Sequence, residues 1–163
     1  MAPAEPIYRA PMRARDRDLP EGTGAAYGLE RGLVGIGDEL AASPATIDEA
    51  IDAARATHGD KAARMLERFA QLADGAFVWT EDAEGAFHLG RITGPWRYDD
   101  SMGARAVGIH HVRPVRWLDR PIGDREVPPA VAHTFARGGR NFQRTHDGEA
   151  ERETAALWAE EAG

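Results

Sequence analysis

Cysteine is absent from the 163 residues. That excludes a disulfide framework, a thiolate metal site and a cysteine nucleophile, and it leaves packing alone to hold the fold. Lysine is nearly absent too: Lys61 stands alone against nineteen arginines. Nothing approaches the ~18 consecutive apolar residues of a membrane span, and the opening stretch MAPAEPIYRAPMRAR lacks the apolar core of a secretory signal. A soluble, cytoplasmic protein with no membrane partner is expected. Catalytic signatures are missing as well, with no nucleophile elbow, P-loop, dinucleotide fingerprint or metal motif. The expectation is therefore no enzyme, no catalytic residue, no cofactor and no metal. Ser43 reads as a turn or cap residue, Ser101 as part of a loop, and Asp99 and Asp100 as solvated turn formers.

What is present is enough chain for one domain, residues 1–163, with a core over about 7–146 and a terminal helix over about 148–161. The net charge is -7, but it is unevenly spread. Acid collects in residues 21–75, which net -5, and in residues 148–163, which net -4. Residues 76–147 net +1 and hold ten arginines and five of the six histidines. Strong nonspecific DNA binding is excluded by that balance, whereas a local basic patch is not.

The short stretch PIYRAP, bracketed by prolines, and the glycine-punctuated run RGLVGIG read as two strands. Between them, MRARDRDLPEGTGAAYGLE has the alternating charge and turn residues of a loop. Thr46 and Glu49 then form a capping box ahead of a helix ending at Gly59, and a second helix starts from Asp60 as N-cap. Its apolar face is Ala62, Met65, Leu66, Phe69 and Leu72. GAFVWT, AFHLGRIT, RAVGIHHV and RPVRWL are β-rich runs, the first two joined by the hairpin loop EDAEG. A short helix in VPPAVAHTFARGG, a last strand in RNFQRTH and a terminal helix anchored by Leu157 and Trp158 complete the order. The fold class is α+β: a curved, mainly antiparallel sheet or open β-barrel with peripheral helices.

Aromatic residues are few, at 7 % of the chain, so their positions carry weight. Trp96 and Tyr98 stand in GRITGPWRYDD, just past a strand, where Trp96 either closes the core or offers a stacking face. Alternation puts Phe77 and Trp79 on one side of their strand and Val78 on the other. Trp117 reads as structural. His110 and His111 are neighbours on a strand and point to opposite faces, so they are poorly placed to share a metal ion. Each suits a bond to a backbone carbonyl, or one of them could read a base edge. Arg91, Arg97, Arg113, Arg116, Arg140 and Arg144 are the phosphate candidates, because guanidinium matches phosphate oxygens with paired donors. FARGGRNFQR reads either as an anion-binding turn or as a helix stop followed by a strand.

Taken together, GLVGIG, DGAFVWT, FHLGRITGPWRYDD, HHVRPVRWL and the closing FQR resemble, in that order, PUA-like domains. The likeness runs toward the EVE-like N-terminal modules of Mrr-type and McrB-type restriction systems and covers residues 7–146. One departure is Asp38 in GIGDEL, where such modules carry an aromatic residue. The resemblance implies a non-catalytic module that holds a nucleobase, often a modified one, in an aromatic pocket at the barrel mouth, beside a separate effector protein. On this chain the pocket would be Trp79, Trp96, Tyr98 and His110, with Arg97, Arg113 and Arg140 on the nucleic-acid backbone. The partner would be DNA or RNA carrying a modified base. Two alternatives stay open: a protein-interaction scaffold using the acidic helices, with a vestigial pocket, and a small nucleoside-directed hydrolase.

Overall fold

The computed structural model describes residues 5–14 and 17–162. The first four residues, part of the stretch read for a leader, lie outside it, as do Arg15 and Asp16 in the stretch read as a loop. In chain order the elements are β1 (Ile7–Arg9), α1 (Thr23–Arg31), β2 (Leu33–Ile36), α2 (Ile47–His58), α3 (Asp60–Gln71), β3 (Phe77–Glu81) and β4 (Phe87–Ile92). After these come β5 (Arg97–Tyr98), α4 (Met102–Val107), β6 (His111–Trp117), α5 (Pro129–Ala136), β7 (Gln143–Arg144) and α6 (Gly148–Ala162). No helix among the described residues is long and apolar enough to cross a membrane.

The strands pair in the order β2-β6-β4-β3-β1-β7 and curl into an open half-barrel, the α+β architecture expected. All pairs are antiparallel except β1 with β3. The long strand β6 explains the aromatic turn. Its C-terminal half pairs β4 through Ile92↔Val115, and its N-terminal half pairs β5 through Arg97↔Val112 and Tyr98↔His111. The chain thus leaves β4, turns through Gly94 and Pro95, and rejoins the same edge of β6 with Trp96 at the junction.

Alternation along the strands feeds two cores on opposite faces of the sheet. Val78, Ile92, Val112 and Val115 pack under Tyr27 of α1, Ala50 of α2, and Met65, Leu66 and Phe69 of α3. Phe77, Trp79 and Leu89 pack under Val131 of α5 and Leu157 of α6, with Trp158 at their margin.

Two segments depart from the sequence reading. The stretch read as loop contains α1, because its glycines serve close packing rather than turning. A Cβ on Gly24 would lie 1.8 Å from the Met12 carbonyl oxygen, and one on Gly28 would lie 2.5 Å from that of Leu33. The run RAVGIHHV is not a continuous strand. Ser101 accepts a hydrogen bond from Ala104 N at 3.1 Å, starting α4, and Gly108 ends it in the left-handed conformation, so the strand begins at His111. Smaller differences follow the same logic. Thr46 caps α2 as expected, but the N-cap of α3 is Gly59 and Asp60 is its first helical residue.

Candidate nucleic-acid interface

The structure splits the residues expected at the base pocket. Trp79 is only 1 % exposed, sits in the α5/α6 core and donates from Nε1 to Thr154 Oγ1 at 3.2 Å. It cannot wall a pocket, because the face it shares with Phe77 is the one α6 covers. Trp96, Tyr98 and His110 do meet, together with His111, in a cluster of ring contacts in which both histidines are buried and Trp96 and Tyr98 are half-buried. Trp96 lies over His111 and donates to its Nδ1 at 3.1 Å; Tyr98 stacks on His110 at 5.4 Å and meets His111 edge-on. The Tyr98 hydroxyl accepts from Leu40 N at 2.9 Å, and burial raises its pKa above the ordinary value.

Both histidines are 1 % exposed. Burial, with the neighbouring His110, drives the His111 pKa from 6.5 down to about 3, so it stays neutral and accepts from Trp96. His110 donates from Nδ1 to the Asp99 carbonyl at 2.9 Å, while its Nε2 has no hydrogen-bond partner among the described residues and lies 4.0 Å from Glu39. Asp99 is not a solvated turn former. It is buried and accepts from the Tyr27 hydroxyl and from Ser101 N. Burial alone would raise its carboxyl, but the hydrogen bonds from Tyr27 and Ser101 and the charge of Arg97 hold it below the usual range.

Of the expected backbone-binding arginines, Arg113 is committed internally. It is 2 % exposed and donates to the carbonyls of Gly94 at 2.8 Å, Phe69 at 3.0 Å and Leu72 at 2.8 Å, and to Asp74 at 2.9 Å. It pins the end of α3 to the turn before Trp96 and is buried away from any phosphate at the surface. Arg97 is exposed. Arg140 is exposed and donates to the Ala14 carbonyl at 3.0 Å, with Asp18 at 3.9 Å.

What opens instead is the seam of the half-barrel, where the ends of the strand order face each other across α3. Residues 11–13 after β1, Gly35–Gly37 at the end of β2, Met65 of α3 and Phe142 before β7 enclose a narrow neck there, with Arg13 and Arg140 beside it. On one side the neck widens into a hollow of about 500 Å³ lined by Tyr8, Met65, Arg68, Gln71, Leu72, Phe142, Gln143, Arg144 and His146. On the other it meets a basin of about 130 Å³ that takes in Arg13, Arg17, Arg140 and Asp18.

The wall of the larger hollow is a stacked pair, Tyr8 and Phe142, with centroids 5.2 Å apart and planes 11° from parallel, and Phe69 abuts Phe142 edge-on. Another buried arginine holds this wall in place. Arg9 is 5 % exposed and donates to the carbonyls of Thr134, Gly138 and Asn141 and to Gln143 Oε1, tying residues 134–143 to β1. Sequence reasoning missed Tyr8 and Phe142 as a pair because strand pairing, not spacing, brings them together. Their available signal was an aromatic residue in the first strand and another directly before the last. Burial raises the Tyr8 hydroxyl pKa, so it remains a neutral donor. On the rim, Arg144 pairs with Glu151 at 3.1 Å, and Arg68 is exposed with no ion-pair partner among the described residues. Also among the described residues, no group of three or more histidine or acidic side chains converges to hold a metal ion.

No family model matches the chain, and no curated protein does. Among solved structures, the crystal structure of the YTH domain of the Zygosaccharomyces rouxii MRB1 protein in complex with N6-methyladenosine RNA is similar over 97 % of this chain and 90 % of that one, at 12 % identity and a TM-score of 0.42.

Proposed function

We propose that this chain is a non-catalytic nucleic-acid-binding module that takes a nucleobase into the hollow walled by Tyr8 and Phe142. The observation that carries the reading is that hollow: about 500 Å³, aromatic on one wall, apolar at Met65 and Leu72, and rimmed by Arg68, Arg144 and His146. A base has a flat face for the first, a hydrocarbon-like body for the second and a phosphate chain for the third. Gln71 and Gln143 also line the hollow, and their amides can donate to and accept from a base edge, the chemistry that distinguishes one base from another. The aromatics in use are thus Tyr8 and Phe142 in place of Trp79, Trp96 and Tyr98. The likeness to EVE-like modules adds the further element that the base is chemically modified and that a separate effector acts on the bound nucleic acid in a defence setting.

One base-aromatic stack is worth about 1–3 kcal/mol, so Tyr8→Ala is expected to weaken binding by about 5- to 150-fold. Fluorescence anisotropy with labelled methylated and plain oligonucleotides at low salt measures this. Absence of binding to every oligonucleotide, or unchanged affinity in a folded Tyr8→Ala protein, removes the reading.

A further inference from the structure

We infer that the exposed cations of α3, Lys61, Arg64 and Arg68, form a phosphate track, so that the ligand is a single strand of nucleic acid whose base enters the aromatic hollow and whose backbone follows this helix. The inference rests on the proposed base site and extends it from one nucleotide to the strand that carries it. Helix α3 buries Ala62, Ala63, Met65, Leu66 and Phe69, which turns Lys61, Arg64 and Arg68 to solvent. With about 3.6 residues per turn, the three fall within about 60° of arc and span about 10 Å of the helix axis. Arg68 already stands on the rim of the hollow, and Met65, on its wall, adjoins the Lys61 edge of the same arc. The row of cations and the hollow therefore border one another.

None of the three side chains has a hydrogen-bond, ion-pair or ring partner among the described residues, in contrast to Arg9 and Arg113, which clamp backbone carbonyls. The acids of the same helix fall on the far side of Arg64 from Met65. There Asp60 pairs with Arg55 of α2 at 3.4 Å, and Glu67 accepts from Gln71 at 3.4 Å. On α2, the helix packed against α3, Asp52 also pairs with Arg55, and Glu49 accepts from Ala45 N. An exposed cation without a partner adds little to the fold, because water already solvates it. A row of them beside a stacking wall is the combination that holds single strands, with phosphates on the row and a base against the ring.

The test uses the whole chain with a labelled single-stranded oligonucleotide, as RNA and as DNA, and with the free nucleoside. Lys61→Gln and Arg64→Gln keep a good helix former and give up no partner, so both should unfold like the native protein. Each should weaken strand binding several-fold, lower the slope of log K against log salt by about 0.7, and leave nucleoside binding unchanged. The slope change is expected with RNA and DNA alike, because phosphate is common to both. Arg125→Gln, which removes the same charge from an exposed position between β6 and α5, should change neither affinity nor slope. Tyr8→Ala should weaken strand and nucleoside together. If Lys61→Gln and Arg64→Gln lose no more strand affinity or slope than Arg125→Gln while Tyr8→Ala still loses binding, the track is refuted and the base site stands. If Tyr8→Ala leaves both probes unaffected, the base site itself fails, and with it the entry of the strand into the hollow.

Discussion

His111 makes acid lability the most direct test of how the sheet edge is built. Its ring is buried between Trp96 and Tyr98, accepts from Trp96 and is held neutral, with a pKa of about 3 against 6.5 for an unhindered imidazole. The folded value lies below the unfolded one, so the unfolded chain binds more protons between the two. The contribution to stability is therefore complete above pH 6.5 and is lost as the pH falls toward 3. Working the linkage between those two values, the fold loses about 2 kcal/mol from this residue between pH 7 and pH 5. Urea unfolding of the native protein and of His111→Gln at both pH values isolates it, because the remaining titrating groups are common to the two proteins. The native protein should lose about 2 kcal/mol more than the variant over that interval. An equal loss in both, or an NMR titration of His111 with a midpoint near 6.5, would refute the argument that burial and the Trp96 bond keep the ring uncharged.

Other outcomes separate structural from functional residues. Trp79→Ala should cost about 3–5 kcal/mol in thermal or urea unfolding, as expected for a fully buried indole. Trp96→Ala should cost about 1–3 kcal/mol by leaving His111 Nδ1 without its donor, while oligonucleotide affinity in the folded variant stays unchanged; loss of binding there would return the site to the β5 turn. Gly24→Ala, in a helix where alanine is ordinarily favoured, should instead destabilise by about 1–3 kcal/mol or prevent folding, since its Cβ would overlap the Met12 carbonyl. Arg113→Met should be severe, whereas Asp74→Ala should cost under about 1 kcal/mol, because Asp74 is 62 % exposed and the carbonyls of α3 are the partners that matter; equal effects in urea unfolding would contradict this.

The strands and most helices were legible because each carries a periodic pattern that only one packing satisfies. Phe77, Val78 and Trp79 divide between the two cores as alternation requires. The same alternation already placed Trp79 beside Phe77 on one face, which is why assigning it to an open pocket failed: the terminal helix lies over that face. Helix α1 escaped because Gly22, Gly24 and Gly28 resemble turn residues until their neighbours are known, and only the approach of Met12 and Leu33 gives two of them a helical reason. The site was hidden for a different cause. Tyr8 and Phe142 are 134 positions apart, and no local spacing reports a stack made by pairing the first strand with the last.

Among the arginines expected on a nucleic-acid backbone, Arg113 departs furthest from its expected place, and the chemistry of its side chain explains why. A guanidinium has five donors, so one residue can serve several carbonyls at once where lysine cannot. Arg9 and Arg113 use that capacity internally, one holding residues 134–143 against β1 and the other holding the end of α3 against the β4–β5 turn. Burial pulls both below the ordinary guanidinium pKa, yet neither side chain approaches neutrality, because arginine's ordinary value lies so far above pH 7. The charge of Arg113 is paired with Asp74 at 2.9 Å, whereas Arg9 has only neutral acceptors among the described residues. The two clamps thus shape the walls of the groove, and Arg9 adds a buried positive charge behind one of them, in a chain whose net charge is -7. On the proposed function, attraction of a nucleic acid would be short-ranged and confined to the seam, with the acidic helices α2 and α6 repelling it elsewhere.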